Sequence, residues 1–178
     1  MPTVPQPPVA TTGVYTSSQI SALVAAVNFA LNPPTAELRQ VAVQAIANST
    51  YTSLAFDAFD VDKNPSGAPG HSNSVNNTRY TAQYTGWHLV GGAAEFALNT
   101  TGQRGLRWTV NGISINASDV FVQATTGGQV AVPARAKRIF LNVNDYLELQ
   151  CFQNSGGSLN TASVNEAGSS MAVGWVSN

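Results

Sequence analysis

A chain of 178 residues with 43% apolar side chains is long enough for one domain and an appendage. Only 10% of the residues are charged, 8 Lys and Arg against 9 Asp and Glu, where an ordinary soluble domain carries about 25%. The net charge of −1 leaves no basic excess to draw the chain to nucleic acid or to an anionic membrane, and a single Cys excludes both an intrachain disulfide framework and a Cys-cluster zinc site.

The charge is segregated. Met1 to Ala36 carries none, and every charged side chain falls between Glu37 and Glu166. A free solvated tail is normally charged or weakly hydrophobic, yet this segment holds Ile20, Leu23, Val24, Val27, Phe29 and Leu31. It is composed like a surface that something covers. The stretch from Ile20 to Leu31, interrupted by Ser21 and Asn28, falls short of the ~20 residues a membrane span needs, so no membrane insertion is expected. The uncharged opening MPTVPQPPVATTG lacks the cationic start of a secretory signal, and export by that route is not expected.

In chain order, Pro2, Pro5, Pro7 and Pro8 predict an extended arm over Met1 to Gly13. The run TSSQISALVAAVNFALNPP predicts a short amphipathic helix. Thr16 and Gln19 fit a capping box, Ile20, Leu23, Val24, Val27 and Leu31 form an apolar stripe, and Pro33-Pro34 ends it. A helix of about four turns is marginal alone in water, so its stripe packs on sibling helices, on its own domain or on another protein.

From Glu37 the period changes to two. Val41 and Val43 alternating with Gln40 and Gln44 predict a strand, as does STYTSLAFDAF. Tyr80, Ala82 and Tyr84 share one strand face. In GWHLVGGAAEFAL the Gly91-Gly92 pair predicts a bulge or bend. In GLRWTVNG, Leu106, Trp108 and Val110 form the apolar side, and Asn111-Gly112 signals a tight hairpin. Further strands are predicted at Val120 to Thr125, Gln129 to Val132, Lys137 to Asn142, Tyr146 to Gln153 and Met171 to Val176. Eight to ten short strands without a second helix argue for an all-β antiparallel jelly-roll sandwich, residues 37–178, behind an arm and helix over residues 1–36.

Candidate chemistry is sparse. His71 and His88 lack metal-ligand spacing, and Cys151, on the Leu147 and Leu149 face, reads as a buried thiol. No nucleophile elbow and no phosphate-binding glycine loop occurs, so an enzyme is not expected and no cofactor is called for. Asp60, Asp62 and Asn64, with Asp57 as an extra ligand, resemble the start of a calcium loop. Pro65 then stands where the turn glycine belongs and His71 where the bidentate Glu belongs, which favours a solvated turn. The long insertion from Asp60 to Arg79 is the candidate recognition loop, with His71, Asn73, Asn76 and Arg79 as its contacts. Trp87, Trp108 and Trp175 read as core residues first and sugar-stacking residues second.

The run YTAQYTGWHLVGGAAEFALNTTGQRGLRWTVNG, followed by FLNVNDYLELQCFQNSGGSLNT and MAVGWVSN, resembles the jelly-roll shared by complement globular-head and tumour-necrosis-factor-like proteins, and more closely the versions carried by tailed phages and some bacteria. The likeness rests on Gly86-Trp87, the Ala/Phe strand ending at Asn99 and Gly102, Asn111-Gly112, Asn144-Asp145 before Leu147, Glu148 and Leu149, and the Gln153, Ser155, Gly156, Gly157 loop. It implies a homotrimer. A Pro-rich arm and short helix replace the collagen stalk of animal members, and this front end looks like the particle-anchoring segment of phage head-fibre or decoration proteins. The expectation is a non-enzymatic virion protein, assembled in the host cytoplasm, that is held by residues 1–34 to the major capsid protein or another virion protein. The helix stripe is then a trimer seam or a foot on the capsid. The alternative is a tail-associated knob that binds a receptor or host-surface glycan.

Overall fold

The computed structural model of the chain describes residues 4–8, 13–164 and 167–178. Residues 4–8 of the predicted arm form no regular element, and the rest of it, residues 1–3 and 9–12, lies outside the described residues. Helix α1 (Ser17–Leu31) starts at the expected capping box: the Gln19 N–H donates to Thr16 Oγ1 at 3.3 Å, and the Thr16 N–H donates to Gln19 Oε1 at 2.8 Å. Asn32 and the two prolines end it.

Sixteen strands follow among the described residues. They are β1 (Thr35–Arg39), β2 (Ala45–Ile46), β3 (Thr52–Ser53), β4 (Ala58–Lys63), β5 (Tyr80–Thr81), β6 (Gly86–Phe96), β7 (Gln103–Val110) and β8 (Ile113–Ser114). The second half holds β9 (Val120–Gln123), β10 (Val130–Pro133), β11 (Lys137–Leu141), β12 (Tyr146–Gln153), β13 (Leu159–Asn160), β14 (Ser163–Val164), β15 (Ala167–Gly168) and β16 (Ser170–Ser177). One six-stranded antiparallel sheet runs β10-β6-β16-β1-β4, with β11 continuing the β10 side of β6. The other runs β3-β12-β7-β8, with β5 beside β12 and β9 beside β7. The first strand begins at Thr35, and Ala36 is already buried in the core, so the sheet domain starts two residues before Glu37.

The two sheets close on Leu38, Phe56, Tyr80, Val90, Phe96, Leu106, Trp108, Leu147, Leu149, Cys151, Met171 and Val173, all buried. Period-two patterning placed most of these correctly. Tyr80, Ala82 and Tyr84 all point inward, and Asn111 and Gly112, at φ 52° and 79°, form the expected primed turn between β7 and β8.

Two expectations are corrected. The segment from Gln40 to Gln44 is a loop, with Val41 and Val43 exposed and Gln40 buried. Gln44 Nε2 donates to the Ser53 carbonyl and Gln44 Oε1 accepts from the Ala55 N–H, while Gln40 Nε2 donates to the Ala55 carbonyl. Amide side chains thus supply a surrogate ladder, and the apolar residues turn outward. The second correction concerns Gly91-Gly92. Strand β6 passes straight through both, in register with Ala172 and Met171 of β16; it is the neighbour on the other edge that breaks, between β10 and β11.

Gly92 is held by space. A Cβ there meets the Ser170 carbonyl oxygen at 2.6 Å and Leu149 Cδ2 at 3.1 Å, whereas one on Gly91 meets nothing within 4 Å. Gly92→Ala is expected to cost about 1–3 kcal/mol in urea unfolding and Gly91→Ala less than about 0.5 kcal/mol; equal effects refute this assignment.

His88 sits fully buried in β6 beside Tyr80, with Nδ1 3.0 Å from the Gly86 carbonyl oxygen and Nε2 without a hydrogen-bond partner among the described residues. Burial holds its pKa below the ordinary histidine value, against the opposing pull of the Gly86 carbonyl. Because the native state resists the proton, stability is complete above pH ~6.5 and falls as the pH drops below that value, by at most about 1.4 kcal/mol per unit. Urea midpoints between pH 7.5 and 5.5 are expected to show this slope, and His88→Leu to flatten it; an unchanged slope in the variant overturns the assignment.

Candidate functional site

Three surfaces qualify as functional candidates, and the first is the predicted recognition loop. Asp62, next to last in the entry strand β4, caps the loop from within, its carboxylate accepting the N–H groups of Gly70 and His71 at 3.0 Å each. Asp60 lies at a β4 bulge and pairs with Arg39 at 2.8 Å on the surface. Asn64 Oδ1 accepts from the Ser66 N–H in a local turn. Asp57 is occupied elsewhere. Although partial burial pushes its carboxyl up, the N–H groups of Val41 and Ala42 at 2.6 and 2.9 Å hold it below the usual carboxylate range. The suggested calcium ligands therefore serve separate structural contacts, and no group of three acidic, His or Cys side chains converges among the described residues.

His71 is buried instead of displayed. Nε2 lies 3.0 Å from the Phe56 carbonyl oxygen and Nδ1 2.8 Å from that of Arg79. Each ring nitrogen thus faces a backbone carbonyl. The ring bridges the segment before β4 and the end of the loop. Asn73 and Asn76 stand exposed, Asn76 at φ 51°, and Arg79 is half-buried, its guanidinium 3.9 Å above the Tyr146 ring with Nε 3.4 Å from Glu148. Next to them opens a cleft of about 400 Å³ between the loop and the turn that leads into β12.

The second surface is the outward face of the β6-β16-β1 sheet. Trp87 is 41% exposed and meets Phe140 of β11 edge to face, with ring centroids 5.4 Å apart. Leu89, Gly91, Ala172, Gly174 and Val176 line a shallow apolar groove beside them. Trp87 thus departs from the core role expected for it, because the alternation that turns His88 and Val90 inward turns Trp87 and Leu89 out. The opposite sheet is different. Its outer face is tiled by Arg107 stacked 3.5 Å over Tyr51 and bonded to Gln150 at 2.8 Å, and by Arg79, Thr78 and Glu148. Beside these polar contacts the same face exposes an aromatic cluster, Phe152 meeting Tyr51 and the exposed Phe121 at centroid distances of 5.2 and 5.8 Å.

The third surface is the helix. Ile20, Leu23, Val24, Val27 and Leu31 are all exposed, and the only buried residue of α1 is Phe29. Phe29 packs edge to face on Tyr84 and Trp175 at centroid distances of 4.9 and 4.8 Å. The expected stripe exists and is uncovered by its own domain; the residue that docks the helix lies outside that stripe. Only Pro33-Pro34, which restrict how the helix can leave the sheet, hinted at a contact there.

Cys151 is fully buried, and burial pushes its thiol up to about 12, which removes the thiolate a nucleophile needs. Of the tryptophans, Trp108 is a core residue with Nε1 donating to the Arg135 carbonyl at 2.7 Å, and Trp175 donates to the Thr85 carbonyl at 3.2 Å.

No protein-family model matches the chain, and no curated protein matches it. Solved structures do. The crystal structure of murine APRIL at pH 8.0 superimposes with a TM-score of 0.59 at 12% identity, over 80% of this chain and 98% of that one. Eiger TNF from S. frugiperda gives 0.52 at 13% identity, over 82% and 93%. The globular domain of zebrafish complement 1qA protein gives 0.53 at 10% identity, over 82% and 99%. At such identities the likeness carries the fold and nothing finer. The chain is an antiparallel jelly-roll of the kind found in TNF and in the complement globular head, preceded by one exposed amphipathic helix.

Proposed function

We propose that the chain is a non-enzymatic structural subunit of a virion: a homotrimer that associates through the outer face of the β6-β16-β1 sheet and is held to the particle by residues 1–34. The observation that carries self-association is the apolar outer face of the β6-β16-β1 sheet. Trp87, Leu89 and Phe140 expose a connected apolar patch there, continuous with the groove over Ala172, Gly174 and Val176. Exposed patches of this kind on a soluble subunit belong to interfaces, and a closed ring covers them without leaving an open filament.

The particle anchor rests on the front end. The helix stripe is uncovered, and no charged residue occurs from Met1 to Ala36, so burial of this segment costs no ion desolvation. The fold alone does not specify a virion; that assignment follows the sequence resemblance to head-fibre and decoration proteins. The partner is accordingly the major capsid protein or a neighbouring shell protein, with the jelly-roll projecting from the particle surface.

Light scattering on the purified chain is expected to give the mass of three copies. Trp87→Glu with Leu89→Lys is expected to give folded monomers, weakening each interface about a hundredfold or more. A chain lacking residues 1–34 is expected to remain a folded trimer that fails to join particles. A monomeric parent chain refutes the trimer, and undiminished incorporation of the truncated chain refutes the anchor.

A further inference from the structure

The cleft beside the recognition loop has the chemistry of a ligand site that structural duty does not use up. Its walls are the loop from Pro69 to Arg79 and the turn at Asn144 and Tyr146. The backbone on one side is fixed. Asp62 caps Gly70 and His71, His71 ties Phe56 to Arg79, the Phe56 N–H donates to the Asn77 carbonyl at 2.8 Å, and Gly70 lies against the Tyr80 ring, where a Cβ would come within 2.5 Å. A site fixed before binding loses little entropy on occupation.

None of the side chains lining the cleft is acidic. Arg79 is held by its stack on Tyr146 and by Nε facing Glu148, which leaves its two terminal nitrogens without a hydrogen bond to any described residue. A guanidinium presented this way matches a carboxylate in two parallel hydrogen bonds. Around it stand the carboxamides of Asn76, Gln83 and Asn144, which offer donors and acceptors in the combination that sugar hydroxyls need. The exposed Val75 side chain adds an apolar edge. The volume, about 400 Å³, lies within the range of small-molecule pockets.

We propose that this cleft binds a carboxylated saccharide, a uronate or sialate end group, with Arg79 gripping the carboxylate and Asn76, Gln83 and Asn144 reading the hydroxyls. This goes beyond the anchoring role and does not depend on it. Because Glu148 offsets part of the Arg79 charge, a single site binds weakly.

The test is a titration of the isotopically labelled full chain with sialyllactose, with a hyaluronan tetrasaccharide and with neutral lactose, followed by amide shifts. At least one acidic probe is expected to move the amides of residues 69–83 and 144–146, with lactose at least tenfold weaker. Arg79→Gln is expected to weaken the acidic probe tenfold or more. Asn76→Gly, which keeps the left-handed backbone, is expected to weaken it severalfold without altering the rest of the spectrum. Silence with both acidic probes, lactose binding as well as they do, or unchanged affinity in a folded Arg79→Gln chain each overturns the proposal.

Discussion

The insertion of β16 between β1 and β6 is the constraint on which the rest of the molecule depends. Thr35 to Arg39 pairs with Gly174 to Ser170 on one side of β16, and Trp87 to Ala93 pairs on the other. The first sheet is therefore completed only when the C-terminus returns to the N-terminus, a pairing of high sequence separation. That same strand sets the helix: the Trp175 N–H donates to the Pro34 carbonyl at 2.9 Å, and the Trp175 ring is half of the seat for Phe29. The apolar groove lies over β16 as well, at Ala172, Gly174 and Val176. Sheet closure, helix placement and the exposed face all trace to one strand.

Most of the sandwich is legible in the sequence because burial on one face imposes period two, and a one-residue slip would turn every side chain over. This worked for Tyr80-Ala82-Tyr84 and for Leu147-Leu149-Cys151. It failed at Gln40 to Gln44, where amide side chains took over ladder hydrogen bonds from the backbone, so the hydropathy pattern ran opposite to burial. It also misplaced Trp87, since alternation says which residues share a face and is silent on whether a second face is wet. The long loop was legible from its length, yet the cleft beside it was not, because the cleft depends on Asn144 and Tyr146 from a distant turn. His71 was misread as a contact residue because nothing local shows that the Phe56 and Arg79 carbonyls converge on its ring.

The scarcity of charge acquires a physical distribution in the fold. Arg104 is fully buried without a carboxylate partner, and its two terminal nitrogens donate to the carbonyls of Thr101, Gln103 and Asn99 at 2.9 to 3.0 Å. Arg79 and Arg107 spend their charge on tyrosine rings.

The position of β1 has a mechanical meaning. The arm and helix join the sheet at Thr35, and β1 is an interior strand with β16 on one side and β4 on the other. A force applied through the N-terminus cannot peel β1 from an edge; it has to break two hydrogen-bonded ladders together, and one of them runs to the last strand of the chain. Load entering the sheet at Thr35 is shared between the two ladders from the first residue pair onward.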